Sequence, residues 1–329
     1  MRRRRLFWPL LALMLILVPA CSSLVEDDYD VRIAGVFSGP TTDADYNALG
    51  AKALEDIESD SVKIAYSESV EVPDAERVIE EYVSDGYDIV WTHGSQFYEA
   101  TAAVAQRNPD VTFIGEFDGK PESQPKNVWV LDRNFHTVFY PLGTMAANLS
   151  ETGQVGYLGG LSLPFSYAEV NAVEQGIKDS GKDVELRRVW TGDFNDTIRA
   201  QQLTSQLISD GSDVILTSLN LAVVGAFQAV KEEDPGDAWI SVKYTNKSAN
   251  GPDHYAASVV YDFTEPIEEI RKQIDDGKRS GYYQMNFGTG ASIDLGDALP
   301  DDVRKATEEA INGVESGDIE VELDQTEGS

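Results

Sequence analysis

The sequence predicts an α/β protein of two lobes, each a doubly wound parallel sheet covered by helices. Three observations predict it. Short β-branched runs alternate along the chain with helical stretches whose apolar residues recur three and four apart, the pattern of parallel sheets covered on both faces. Once the N-terminal leader is set aside, about 300 residues remain, more than one hydrophobic core usually occupies. The chain also repeats itself: "SDGYDIVWTHGS" at Ser84 returns as "SDGSDVILTSLN" at Ser209. Asp85, Gly86, Asp88 and Thr92 match Asp210, Gly211, Asp213 and Thr217 at a constant offset of 125. The glycine caps a helix and the aspartate starts the next strand. Helix–Gly–strand junctions are common in α/β proteins, but a shared offset over four positions favours a duplicated lobe.

The elements follow in order. "VRIAGVF" from Val31 opens the first lobe, and "ADYNALGAKALEDI" is its first amphipathic helix. "VKIAY", "PDAERVIEEYVSDG", "DIVWT", "VTFIG" and "VWVL" continue the alternation. The second lobe reads "QVGYL", "VELRRVW", "DVILTS", "WISVKY" and "ASVVY". The turn from Ser38 to Asn47 joins the first strand to its helix. In open α/β sheets ligands collect beyond the carboxyl ends of strands, where such turns and the first helical amides converge.

The first 21 residues set the compartment. Arg2–Arg5 is a basic stretch, and Leu6 to Val18 is an apolar run too short to span a membrane comfortably. "LVPAC" follows, with small Ala20 before Cys21, the only cysteine in the chain. This resembles a bacterial lipoprotein signal at 1–20, with Cys21 as the diacylated new N-terminus. The alternatives are a short uncleaved anchor or an ordinary secretory signal. Residues 21–30 read as an acidic tether, and the C-terminal "LDQTEGS" as a frayed end.

The formal charge is −31, and removing residues 1–20 takes away four arginines, leaving −35. Such a surface excludes nonspecific nucleic-acid binding, which needs cations to displace counterions. It also disfavours anionic headgroups, so membrane contact is expected through lipid on Cys21 alone. There is no G-x-S-x-G, no P-loop and no complete G-x-G-x-x-G. His93, His136 and His254 stand at no metal-ligand spacing. Neither catalysis, a metal nor a cofactor is expected. Two similar lobes on an exported chain point to a monomeric solute-binding protein with its cleft between the lobes.

A family resemblance sharpens this. "GVFSGPTTDADYN", "DIVWTHGSQFYEAT" with "NPDVTFIGEFDG", "YPLGTMAANLSETGQVGYLGG", "VWTGDFNDTIRAQQLTSQLISDGSDVI" and "INGVESGDIEV" together resemble the BMP (basic membrane protein, PnrA-like) family of substrate-binding lipoproteins. The resemblance implies the type I periplasmic-binding-protein fold, two lobes joined by three crossovers. It divides the chain into 31–134 with a return around 253–290, and 135–252 with the 291–329 region. It implies capture of purine nucleosides or nucleobases and delivery to an ABC permease and its ATPase. A ligand-sensing regulatory lipoprotein, or an importer receptor for a sugar, are the alternatives.

The resemblance also nominates residues. Tyr46 and Asn47 fall where members stack on and hydrogen-bond a purine, and an aromatic face with an amide beside it suits a flat base. Ser38 and Asp45 share that turn. Tyr46 is otherwise a core residue, and Asp43 and Asp45 helix caps. His93, Gly94, Ser95 and Phe97 form the second loop, where His93 is otherwise a loop histidine without a role. Trp190 and Phe194 offer a second stacking face, unless Trp190 is ordinary core. Ser218 and Asn220 repeat the first lobe's loop, and Asp132 lies at a crossover. Two positions depart from nucleoside-binding members: Lys243 stands where an aspartate is expected, and Tyr261 where a lysine is. That pair addresses ribose hydroxyls, so a free base is expected to bind at least as well as its ribonucleoside. Lys243 has two readings, partner of a carboxylate or receptor for an anionic ligand group.

Overall fold

The chain folds around two sheets; the computed structural model describes residues 29–327. The leader, Cys21 and nearly all of the tether lie outside the described residues. The first sheet takes β1 (Val31–Phe37), β2 (Val62–Ser67), β3 (Ile89–His93), β4 (Thr112–Phe117) and β5 (Val128–Asp132). α1 (Tyr46–Ile57), α2 (Ala75–Ser84) and α3 (Tyr98–Arg107) connect them. α4 (Phe135–Leu149) leads into the second sheet, through β6 (Gln154–Gly159), α5 (Pro164–Asp179), β7 (Glu185–Trp190) and α6 (Thr197–Ser209). β8 (Val214–Ser218), α7 (Val223–Val230), β9 (Trp239–Tyr244) and β10 (Tyr255–Tyr261) complete its parallel part. The chain then runs through α8 (Thr264–Asp275), β11 (Gly281–Gln284), β12 (Asn286–Phe287), β13 (Gly290–Leu295) and α9 (Asp301–Ser316).

The orders are β2-β1-β3-β4-β5-β11 and β7-β6-β8-β9-β10-β13-β12, so the two sheets repeat one winding. Only the β10–β13 pairing is antiparallel among the named strands. β3 and β8, the strands of the internal repeat, hold equivalent places beside β1 and β6. Their leading glycines, Gly86 (φ 79°) and Gly211 (φ 104°), take the left-handed conformation that ends a helix. Asp88 and Asp213 accept backbone N–H groups, from Arg32 and from Glu151 and Thr152 respectively.

The inner strands are buried on both faces, as parallel strands covered by helices are: every residue of β3, β5, β8 and β9 is buried. α4 and α5 approach closely because each contributes a glycine. A Cβ on Gly143 would lie 2.2 Å from the Val173 carbonyl oxygen, and one on Gly176 2.2 Å from that of Tyr140.

Three crossings join the sheets, at 132–135, 261–264 and 284–286. The return to the first sheet is shorter than the expected 253–290. β10 stays in the second sheet, because it pairs in parallel with β9; only α8, packed on α1, and β11 go back. The outer two crossings are tied together. The Asp132 carboxylate accepts the N–H groups of Gly119 and Asn134 at 2.9 Å each and the Gln284 amide at 3.0 Å, and also holds Tyr282. Asn134, left-handed at φ 50°, donates to the Met285 carbonyl at 2.9 Å.

Candidate functional site

The turn after β1 is built around one carboxylate. Asp43 accepts N–H groups from Asp45 (2.9 Å), Asn47 (3.1 Å) and Ala48 (3.0 Å), capping α1. The Asn47 side chain donates to Asp43 at 2.8 Å and accepts from Gly39 N–H at 3.1 Å. Both ends of that amide hold the turn in shape, so Asn47 fixes the wall before it reads anything.

Behind the turn lies a buried polar cluster. Tyr46 stacks on His93 with centroids 3.9 Å apart and planes at 17°, and its hydroxyl meets Glu116. Glu116 also accepts from His93 Nδ1 at 2.6 Å and Trp91 Nε1 at 3.2 Å. His93 Nε2 lies 2.8 Å from the Tyr46 carbonyl oxygen. Burial, then the Glu116 charge, push the Tyr46 phenol well above its usual range, so it remains a donor to that carboxylate. Arg133 closes the cluster. Its guanidinium grips Asp118 at 2.5–2.9 Å and donates to Ser95 Oγ at 2.9 Å and Tyr46 Oη at 3.2 Å. It lies over the rings of Phe135 (4.7 Å) and Phe165 (5.2 Å). Burial works against its charge, but Asp118 and the other anions outweigh it and keep Arg133 protonated.

These groups back a cavity of about 600 Å³ between the lobes, inside the range of roughly 300–1,000 Å³ common for small-molecule sites. Tyr46, Phe117 and Asp118 face it from the first lobe, with Ser38, Asn47 and Ser95; Phe165, Phe194, Asn220 and Tyr244 face it from the second. Phe165 and Phe194 lie nearly parallel, at 17° with centroids 6.2 Å apart. Tyr244 ends β9 with φ 79°, a strained value for a bulky side chain and one that turns the chain at the cavity wall. Asn220 Oδ1 is buried without a hydrogen-bond partner among the described residues, an acceptor open to a ligand donor.

Of the residues singled out from sequence, Ser38, Tyr46, Asn47, Ser95, Phe194 and Asn220 come together here. The others do not line the cavity. Asp132 clamps the crossings described above. His93 supports Tyr46 from behind, and Phe97 is fully buried among Val36, Val90 and Phe113 in the first lobe's core. Gly94, at φ 133°, turns the loop. Trp190 packs edge-on against Tyr157 and Tyr167, each at 5.7 Å, on the sheet's outer strand. Ser218 is buried at the end of β8. Lys243 is fully buried and paired with Glu169 of α5, with Phe135 4.3 Å beneath its ammonium. It answers a carboxylate of its own chain, because the inward face of β9 points at α5. Burial pushes the Lys243 ammonium down, and Glu169 opposes that shift. Tyr261 packs on Phe135 at 4.3 Å. Arg133, Asp118, Phe165 and Tyr244 were missed. "DRNF" and "GEFDG" hold the first two, but nothing local marks an arginine that will turn back under a tyrosine 87 positions earlier.

Asp45 makes a contact between lobes: its carboxylate meets Lys247 Nζ at 2.5 Å, and Lys247 also donates to the Lys243 carbonyl at 2.7 Å. Burial raises the Asp45 pKa from 3.8 to about 6, Lys247 limits the rise and Asp43 adds to it. A raised carboxylate value means that the folded chain holds this proton between about pH 4 and 6 and the unfolded chain does not. The Asp45 contribution to stability therefore declines as pH rises through that window. In denaturant melts at about pH 4.5 and 7, wild type should lose more stability between the two than Asp45→Asn does. Equal losses would remove Asp45 from the titration.

Two similar α/β lobes hinged by three crossings, with an aromatic cavity between them, define a bilobal solute-binding protein. Residues 30–296 match the family model described as Bmp, ABC transporter substrate-binding protein PnrA-like, and the chain belongs to that family. It is a family of substrate-binding proteins, not enzymes. The chain is 24% identical over 299 residues to a purine-binding protein of Brucella abortus, covering 88% of this chain and 82% of that one. It is likewise 24% identical over 293 residues to the transcriptional activator protein med of Bacillus subtilis, covering 87% and 88%. An ABC transporter solute-binding protein from Conexibacter woesei superposes with a TM-score of 0.71 at 25% identity, over 89% of this chain and 99% of that chain. A substrate-binding protein of an ABC importer works on the extracytoplasmic side of the membrane; among the described residues no helix is long and apolar enough to cross one.

Proposed function

We propose that this protein is the lipid-anchored receptor of an ABC importer and captures a purine nucleobase, a nucleoside or a similar flat heterocycle between its lobes. One observation carries the reading: aromatic rings from both lobes, Tyr46 and Phe117 opposite Phe165, Phe194 and Tyr244, surround one cavity. Apolar faces on two sides suit a planar π-system. The polar groups among them are rich in acceptors, the Asp118 carboxylate and Asn220 Oδ1, which suit the N–H edge of a heterocycle. Lys243 and Tyr261 leave no ribose-binding pair, so the free base should bind at least as well as its ribonucleoside.

The test is a thermal-shift panel of nucleobases, nucleosides, sugars and amino acids. A true ligand at a hundredfold excess over its dissociation constant adds about 2.7 kcal/mol. Small-angle scattering with the ligand so found should show a smaller radius of gyration than without it, since closure buries the ligand. Stabilisation by sugars alone would overturn the heterocycle reading, and an unchanged scattering profile would count against closure.

The anchor has its own test. Cys21→Ala should leave the precursor uncleaved and unable to incorporate labelled palmitate, whereas normal labelling would sink the lipoprotein reading. A ligand-sensing regulatory role is the second reading, favoured by the name of the Bacillus relative. Loss of cellular ligand uptake on deletion of the protein would decide for import.

A further inference from the structure

The C-terminal "LDQTEGS" is expected from sequence to fray, yet the segment from α9 to residue 327 is pinned along the second lobe. Gln175 donates to the Glu320 carbonyl at 2.9 Å and accepts from Glu322 N–H at 3.1 Å. One helical turn earlier on α5, Asn171 donates to the carbonyls of Asp324 (2.9 Å) and Thr326 (3.0 Å). Arg188 of β7 donates to the Glu327 carbonyl at 2.8 Å. Ile319 and Val321 pack against the core, so the segment is seated by apolar contact as well. Its middle then crosses to the other lobe. Leu323 leans on Gly119 in the loop after β4, so closely that a Cβ there would meet Leu323 Cδ2 at 2.7 Å. Two residues on, Gln325 lines the cavity alongside residues of both lobes. It stands between the two carbonyls that Asn171 holds. Its own amide has no partner among the described residues. The family match ends at residue 296, before the strap begins.

We propose that the strap 318–327 is a third wall of the binding site: it carries Gln325 over the mouth of the cleft to hydrogen-bond the outer edge of the bound ligand and slow its release. An amide offers a donor and an acceptor together. It can therefore read a heterocycle edge that neither lobe reaches. The two amides of α5 fix where Gln325 stands, and Asn171 is thereby a positioning residue. Leu323 ties the strap to the first lobe, so an opening of the lobes must slide or lift it. The proposal rests on the cleft reading given above, and its test separates the two.

Three variants are compared with wild type: Gln325→Ala, Asn171→Ala and a chain ending at Glu322. The truncation keeps Ile319 and Val321 in place. Adenine and adenosine are titrated calorimetrically, and their release is followed by stopped flow. The truncated chain should release the bound probe at least tenfold faster at an unchanged melting temperature. Gln325→Ala should weaken binding several-fold, and Asn171→Ala should do the same although it touches no ligand. Wild-type affinity and release in both Gln325→Ala and the truncated chain would overturn the proposal. Binding of neither probe by wild type would instead refute the purine reading. The strap is then judged without ligand by amide hydrogen exchange. Truncation should speed exchange several-fold at the facing walls, 38–47 and 161–165, and unchanged exchange there would overturn it.

Discussion

Lys243→Met alone is expected to cost the fold roughly 3–5 kcal/mol, the cost of leaving Glu169 as an uncompensated buried charge. Both side chains of the pair are fully buried. Glu169 keeps one further partner, the Tyr157 hydroxyl at 3.2 Å, too little to hold a full charge away from water. Glu169→Leu alone should be as damaging, since it strands the ammonium among Phe135, Phe139, Phe165 and Tyr244. The double variant should recover most of the loss, because two apolar side chains of similar volume fit a surrounding that is already aromatic. Denaturant melts of the three variants form a double-mutant cycle. Additive losses would mean that the pair is not coupled, and Lys243 would return as a free cation for an anionic ligand.

Tyr46→Ala should damage stability and binding together. The ring is buried between His93, Phe135, Tyr244 and Phe263. Truncating it opens a cavity, at a cost of about 3–5 kcal/mol. It also withdraws a donor from Glu116. The lost stacking face should weaken a planar ligand by on the order of 1 kcal/mol beyond burial. Tyr46→Phe separates the two effects. It keeps the face, leaves Glu116 with His93 and Trp91, and should cost roughly 1–3 kcal/mol of stability with little change in affinity. Melting curves and calorimetry on both variants check this. A Tyr46→Ala protein that melts like wild type would show that the ring is not packed as described.

Tyr46 shows how the sequence divides its information. Core residue and ligand wall stood as alternatives, and the structure makes Tyr46 both: one face lies on His93, while the side chain also borders the cavity. A helix that begins at the carboxyl edge of a sheet has its first residues at the seam between core and cleft, so the two roles share one ring. Asn47 shows the opposite case. Its type and place suggested a reader of base edges, and its amide is largely consumed by Asp43 and Gly39. Which partner an amide finds depends on a turn closing through space, not on spacing along the chain.

The sequence by itself determined the two lobes, their shared winding and the position of the turns that face the cleft. These follow from local periodicity, from glycines that must end helices and from β-branched runs that must be buried, and each is written within a few consecutive residues. Only the tertiary structure decided the rest: that Asp132 ties crossings rather than meeting ligand, that Lys243 answers Glu169, that Arg133 stands under Tyr46 and that Gln325 lines the cavity. Those outcomes rest on contacts between residues 74 to 153 positions apart. Electrostatic pairing and desolvation act on distance in space. A carboxylate in a chain this acidic has many possible partners by sequence, and burial leaves it one.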